Sequence, residues 1–118
     1  MSTFAEVKLF QVKPGKLAEF EALIAEISKE HRAQEGVLFL KCMKRFFTID
    51  GVPLGAPPRE LTKVVKCVKY YSYCEFDTKE SYGKVTKWWF DNYGKAVGKL
   101  LIAPWDMMSG YTLEEDEQ

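Results

Sequence analysis

Two segments with helical spacing of apolar residues each lie between segments of β character. That alternation constrains the fold more than any other feature of the chain. Phe4 to Val12, "FAEVKLFQV", is rich in β-branched and aromatic residues and stops at Pro14-Gly15, so it reads as a strand. Leu17, Phe20, Ile24 and Ile27 then recur at three- and four-residue intervals, and Leu23 widens the stripe. The spacing predicts an amphipathic helix from about Pro14 to Gln34, with proline in its first turn and Gly36 just past its end. "GVLFLKCMKRFFT" predicts a second strand, and "IDGVPLGAPPREL", with Asp50-Gly51 and three prolines, a long connecting loop. "TKVVKCVKYYSYCEF" predicts a third strand. "DTKESYGKVTKWWFDNYGKAVGKLL" predicts a second helix with Asp77 or Thr78 as N-cap, bent or broken at Gly94. "WDMMSGYTL" predicts the last strand.

The order β-α-β-β-α-β is the split βαβ, or ferredoxin-like, plan of an α+β protein. Right-handed crossovers place both helices on one face of a four-stranded antiparallel sheet. With 118 residues, the chain is expected to form one domain, 1–118, ending in the acidic tail "LEEDEQ" at 113–118. The second strand carries Val37, Phe39, Met43 and Phe47 at one parity and Leu38, Leu40, Cys42 and Phe46 at the other. Both faces are apolar, yet two helices cover one. The expected cover for the other face is a second copy, sheet against sheet, in a homodimer.

Lys plus Arg equals Asp plus Glu at 17 each, so no global field draws the chain to nucleic acid or to an anionic membrane. No apolar run reaches membrane-spanning length, and "MSTFAEVKLF" lacks the pattern of a secretory signal. The odd count of Cys42, Cys67 and Cys74, without a C-x-x-C, argues against a disulfide framework. These features predict a cytoplasmic protein whose cysteines are small buried thiols.

The stretch "VKLFQVKPGKLAEFEALIAEISKEHRAQEGVLFL" resembles the start of dimeric α+β barrel proteins of the antibiotic biosynthesis monooxygenase type, where a strand ends in "kPGk" and "eG" opens the second strand. "YYSYCEFDTKESYGKV" is similar to their third strand and the start of their second helix. The resemblance covers nearly the whole chain. It implies the fold, and a superfamily that spans cofactor-free oxygenases, haem-degrading enzymes, cyclases and isomerases. Where haem-degrading members carry asparagine, tryptophan and histidine, this chain has Lys8, Val85 and Lys95, so haem degradation is not expected.

His31 is the only histidine, so one chain cannot build a two-histidine metal site. It continues the first helical stripe near that helix's C-terminus, where the dipole would favour a protonated imidazole. A structural role is expected for it. Glu6 and Lys8 share a face of the first strand with Phe4, Phe10 and Val12. They are read either as an ion pair at the rim of the dimer or as part of a cleft in which Lys8 fixes an acidic or enolic oxygen. Tyr71 and Tyr73 share a face of the third strand and Tyr70 takes the other; one of the three is a plausible proton donor. Trp88 and Trp89 are about 100° apart on a helix, so Trp89 fits the core stripe and Trp88 leans to the flank near Asp91 and Asn92. The segment Thr48 to Leu61 is either a lid or an arm around the partner.

Together these readings predict a monooxygenase-like enzyme that needs no metal or cofactor and acts on a small planar hydrophobic compound, polyketide- or quinone-like. Lys8 and Tyr71 are the expected catalytic groups, and Glu6, Phe10, Trp88 and Asn92 the substrate-binding ones. The alternative is a non-catalytic dimer of the same fold that binds a small ligand, or a stress-related protein.

Overall fold

A computed structural model describes residues 2–63 and 66–116. Strand β1 (Phe4–Val12) leads through a 3-10 turn at Pro14–Lys16 into α1 (Leu17–Arg32). Then come β2 (Val37–Lys44), a two-stranded ribbon of β3 (Phe47–Thr48) and β4 (Arg59–Glu60), and β5 (Val68–Phe76). Helix α2 (Lys79–Gly98) and strand β6 (Asp106–Tyr111) complete the chain. The main sheet has the order β2-β5-β1-β6, antiparallel throughout, with β1 and β5 at its centre. This is the ferredoxin-like α+β arrangement that the element order implies.

Two-residue alternation in the central strands sorts the sheet's faces. Glu6, Lys8, Phe10 and Val12 of β1, and Val68, Tyr70, Ser72, Cys74 and Phe76 of β5, are buried beneath the helices. Above them α1 contributes Phe20 and Ile27, and α2 contributes Val85, Trp89 and Val97. Gly36 has φ +90°, and a Cβ there would meet Asp77 Oδ1 at 2.8 Å, so the turn into β2 requires glycine.

Three local expectations are corrected. A register shift between Val37 and Phe39 turns Val37 onto the helix side, where it packs with Leu40, so Leu40 faces the core and Phe39 and Met43 face away. Helix α2 runs through Gly94 without a break, and Trp105 lies over Gly94 and Gly98 at ordinary contact distance. The segment read as a plain loop carries the β3–β4 ribbon, and the third strand begins at Val68, not at Thr62. Val64 and Val65 of that reading lie outside the described residues.

Among the cysteines only Cys74 is buried; Cys67 is half-buried and Cys42 exposed on edge strand β2. Burial pushes the Cys74 thiol up to about 12, so it packs as a small apolar group. No helix is long and apolar enough to cross a membrane among the described residues.

Candidate functional site

Glu6 and Lys8 form an ion pair inside the layer between sheet and helices, each 2% exposed. Their two-residue spacing on β1 projects both side chains toward the helices. The register sets Ser72 beside Lys8 on β5, and Cys74 and Ser109 beside Glu6 on its two neighbours. Lys8 Nζ also lies 4.8 Å from the centre of the Trp89 ring, a cation–π contact away from water. One carboxylate oxygen, Glu6 Oε2, is buried without a hydrogen-bond partner. A buried acceptor of that kind is costly unless a ligand or water satisfies it.

Tyr82, on the first turn of α2, packs tilted against Phe4 and edge-on against Phe76, with its hydroxyl toward Glu6. It closes no hydrogen bond to Oε2. Burial, with the Glu6 carboxylate nearby, raises its phenol above the ordinary value. His31 enters from α1, 3% exposed, with Nε2 3.7 Å from Cys74 Sγ and its ring 5.9 Å from that of Trp88. Burial lowers its pKa to about 4, and the positive charges of Lys8 and Arg32 push the same way. The imidazole is therefore neutral near pH 7. The helix dipole, which would favour the cation, loses to burial and to Lys8, correcting the expectation of a protonated ring.

That shift makes stability depend on pH. The unfolded state takes up the His31 proton near 6.5 and the folded state near 4, so the unfolded chain binds more protons between them. Stability should fall by roughly 3 kcal/mol as pH drops through that window. Urea titrations from pH 7 to 4.5 check this, and His31→Leu should flatten the profile above pH 4.5.

Glu6 and Lys8 come together here, and Trp88 lies against His31 on the same side of the sheet; the other candidates do not join them. Tyr71 faces the opposite side of the sheet, because its odd position on β5 alternates away from Ser72, the neighbour of Lys8. Within one protomer it cannot exchange a proton with Lys8. Phe10 is 1% exposed in the core against Phe20 and Trp89, and so is packing. Asn92 is exposed and donates from Nδ2 to the Trp88 carbonyl, away from the pair. The rim position considered for Glu6 and Lys8 is also overturned, since the central place of β1 puts the pair under both helices. Sequence reasoning missed Tyr82, although its place on the Val85–Trp89 stripe was the available signal.

No protein-family model matches the chain, and no curated protein does. Solved structures do match. Rv0793 from Mycobacterium tuberculosis superposes with a TM-score of 0.73 at 17% identity, covering 98% of this chain and 100% of its own. A variant of SnoaB, a cofactor-independent oxygenase from Streptomyces nogalater, gives 0.69 at 15% identity, with 98% and 97% covered. A candidate antibiotic biosynthesis monooxygenase from Bordetella bronchiseptica gives 0.68 at 16%, with 97% and 100% covered.

The chain shares the ferredoxin-like α+β fold of these structures. At such identities the likeness concerns the fold, and function is argued from the site. Within this fold the Glu6–Lys8 pair occupies the sheet face that the helices cover. Among the described residues no three His, Cys, Asp or Glu side chains converge as a metal site would require.

Proposed function

We propose that the protein is a monooxygenase-like enzyme, independent of a cofactor, acting on a small planar hydrophobic compound with an acidic or enolic hydroxyl. The observation that carries this reading is Glu6 Oε2, a buried and unpartnered acceptor held beside the Lys8 ammonium and beneath Trp89. A buried ion pair is weak support for stability, and hydrophobic residues of similar volume would serve the core as well or better. In the proposed reaction Glu6 takes the substrate's hydroxyl proton, Lys8 stabilises the resulting oxyanion, and the dry site keeps that electron-rich anion available to molecular oxygen. Tyr82 takes the proton-donating role expected of Tyr71. Half-buried Trp88 is the ring whose displacement would admit the substrate.

The fold likeness to a cofactor-independent oxygenase supports this reading. Neutral His31, with its pKa near 4, favours the second one, a ligand-binding dimer without catalysis, because the lone imidazole is a poor base. Oxygen uptake with a panel of anthrones and hydroquinones separates the two. Catalysis predicts uptake that Lys8→Met abolishes; binding without uptake selects the second reading, and neither binding nor uptake rejects both.

The working unit we propose is a homodimer joined through the outer sheet face. There Phe39, Met43 (56% exposed) and Met108 stand uncovered beside half-buried Val7, Leu9, Tyr71 and Tyr73. Wild type should sediment as a dimer at micromolar concentration, and Met43→Asp as a folded monomer. Met43 is the informative position on β2, because Leu40 of the same strand lies in the core.

A further inference from the structure

Resting on the dimer just proposed, we infer that its two-fold axis runs across the strands, so that the basic 44–69 segment of each protomer docks in an acidic groove of its partner. The chain is neutral overall but strongly polarised along its strands. Residues 44–69 hold six Lys or Arg against Asp50 and Glu60, whereas residues 112–118 hold four acids and no base. The topology sends the described parts of these segments to opposite ends of the sheet. Strand β2 finishes at Lys44 where β5 starts, and Arg45 donates its backbone N–H to the Lys69 carbonyl there. The tail leaves β6 beside Phe4 and the end of β5, with Thr112 and Glu115 both hydrogen-bonded to Thr3.

At the acidic end the outer sheet face meets the tail in a groove of about 440 Å3. Phe39 and Tyr73 supply its apolar wall, and Glu75, Glu114, Glu115 and Asp116 outnumber the single Lys41. At the other end the β3–β4 ribbon presents Phe47, Ile49 and Leu54 uncovered, Leu54 at 94% exposure, amid the cations. An apolar, basic ribbon and an apolar, acidic groove are complementary in both respects.

In face-to-face packing of two identical sheets the two-fold axis lies in the plane between them, and its limiting directions run along the strands and across them. An axis along the strands would stack basic end on basic end and acidic on acidic. An axis across the strands reverses one sheet over the other and sets each ribbon beside the partner's groove. Like-charge juxtaposition opposes the first arrangement, and charge complementarity favours the second.

A charge swap tests this with the full-length protein. Lys63→Glu with Lys66→Glu, or Glu114→Lys with Glu115→Lys, should each weaken the dimer by roughly tenfold or more in sedimentation. Combining all four changes should restore association, which a mere folding defect could not do. In mixed dimers of isotopically light and heavy chains, a carbodiimide should link Lys63 or Lys66 of one chain to Glu114–Asp116 of the other. Links confined to a single chain would make the ribbon a lid on its own protomer and overturn the inference. A dimer indifferent to every reversal would overturn the axis while leaving the dimer standing. A wild type monomeric at all concentrations would remove the dimer itself.

Discussion

Lys8→Met should destabilise the protein by about 3–5 kcal/mol, because it leaves the Glu6 carboxylate buried without its partner. The converse change, Glu6→Leu, strands the ammonium and should cost a similar amount, with the Trp89 ring as its remaining favourable neighbour. The double variant Glu6→Leu/Lys8→Met has the opposite expectation. It removes both charges and the orphaned oxygen, replaces them with apolar side chains of comparable size, and should be as stable as wild type or more so. It should also lose ligand binding and any oxygen uptake. Urea denaturation of the three variants decides the energetic half. Single changes that cost under about 1 kcal/mol would mean that the pair is solvated, and the argument for a dry site would lose its footing.

A pair expected to be replaceable at no loss of stability, yet set in the middle of a central strand, is what the proposed function would use. That inference joins the sequence to the site. Glu6 and Lys8 stand out in "FAEVKLFQV" because charged residues interrupt the buried parity of an otherwise apolar strand. Parity alone assigned them to one face, and the register shows that face to be the one beneath the helices. The helices were legible from their apolar stripes, and handedness put both on one face of the sheet once the elements were placed; the order of the strands needed the structure. What failed had local physical causes. Parity counted along β2 was upset by the Val37–Phe39 irregularity, which a single sequence does not announce. Gly94 suggested a break because a glycine's cost in a helix is visible in sequence, whereas the Trp105 ring that lies over it is not. Tyr71 was separated from Lys8 by the alternation of β5, a relation between strands and not within one. The two ends of the charge distribution could be counted in the sequence, but their placement at opposite ends of one sheet needed the topology.

The paired tryptophans carry the other large effect. Trp89 is 2% exposed at the meeting point of Phe10, Phe90 and Trp105, with Lys8 over its ring. Trp89→Ala empties the centre of the main core and should cost about 3–5 kcal/mol. Trp88, one residue and about 100° further back around α2, reaches the seam between the helices. There it touches both core clusters, lies 5.7 Å edge-on to Tyr93, and remains half-buried. Its truncation should cost about 1–2 kcal/mol, since part of its surface already meets water and its neighbours can close in. Ligand binding should rank the two the other way. Trp88→Ala removes the ring proposed to admit and stack on the substrate, in a protein that stays folded. Trp89→Ala affects binding through loss of structure, and the deficit should recover at lower temperature as the folded fraction rises. Thermal melts paired with binding isotherms at two temperatures read both orders. Equal large losses of stability would make both rings core, and the seam between the helices would then lose its claim as the way in.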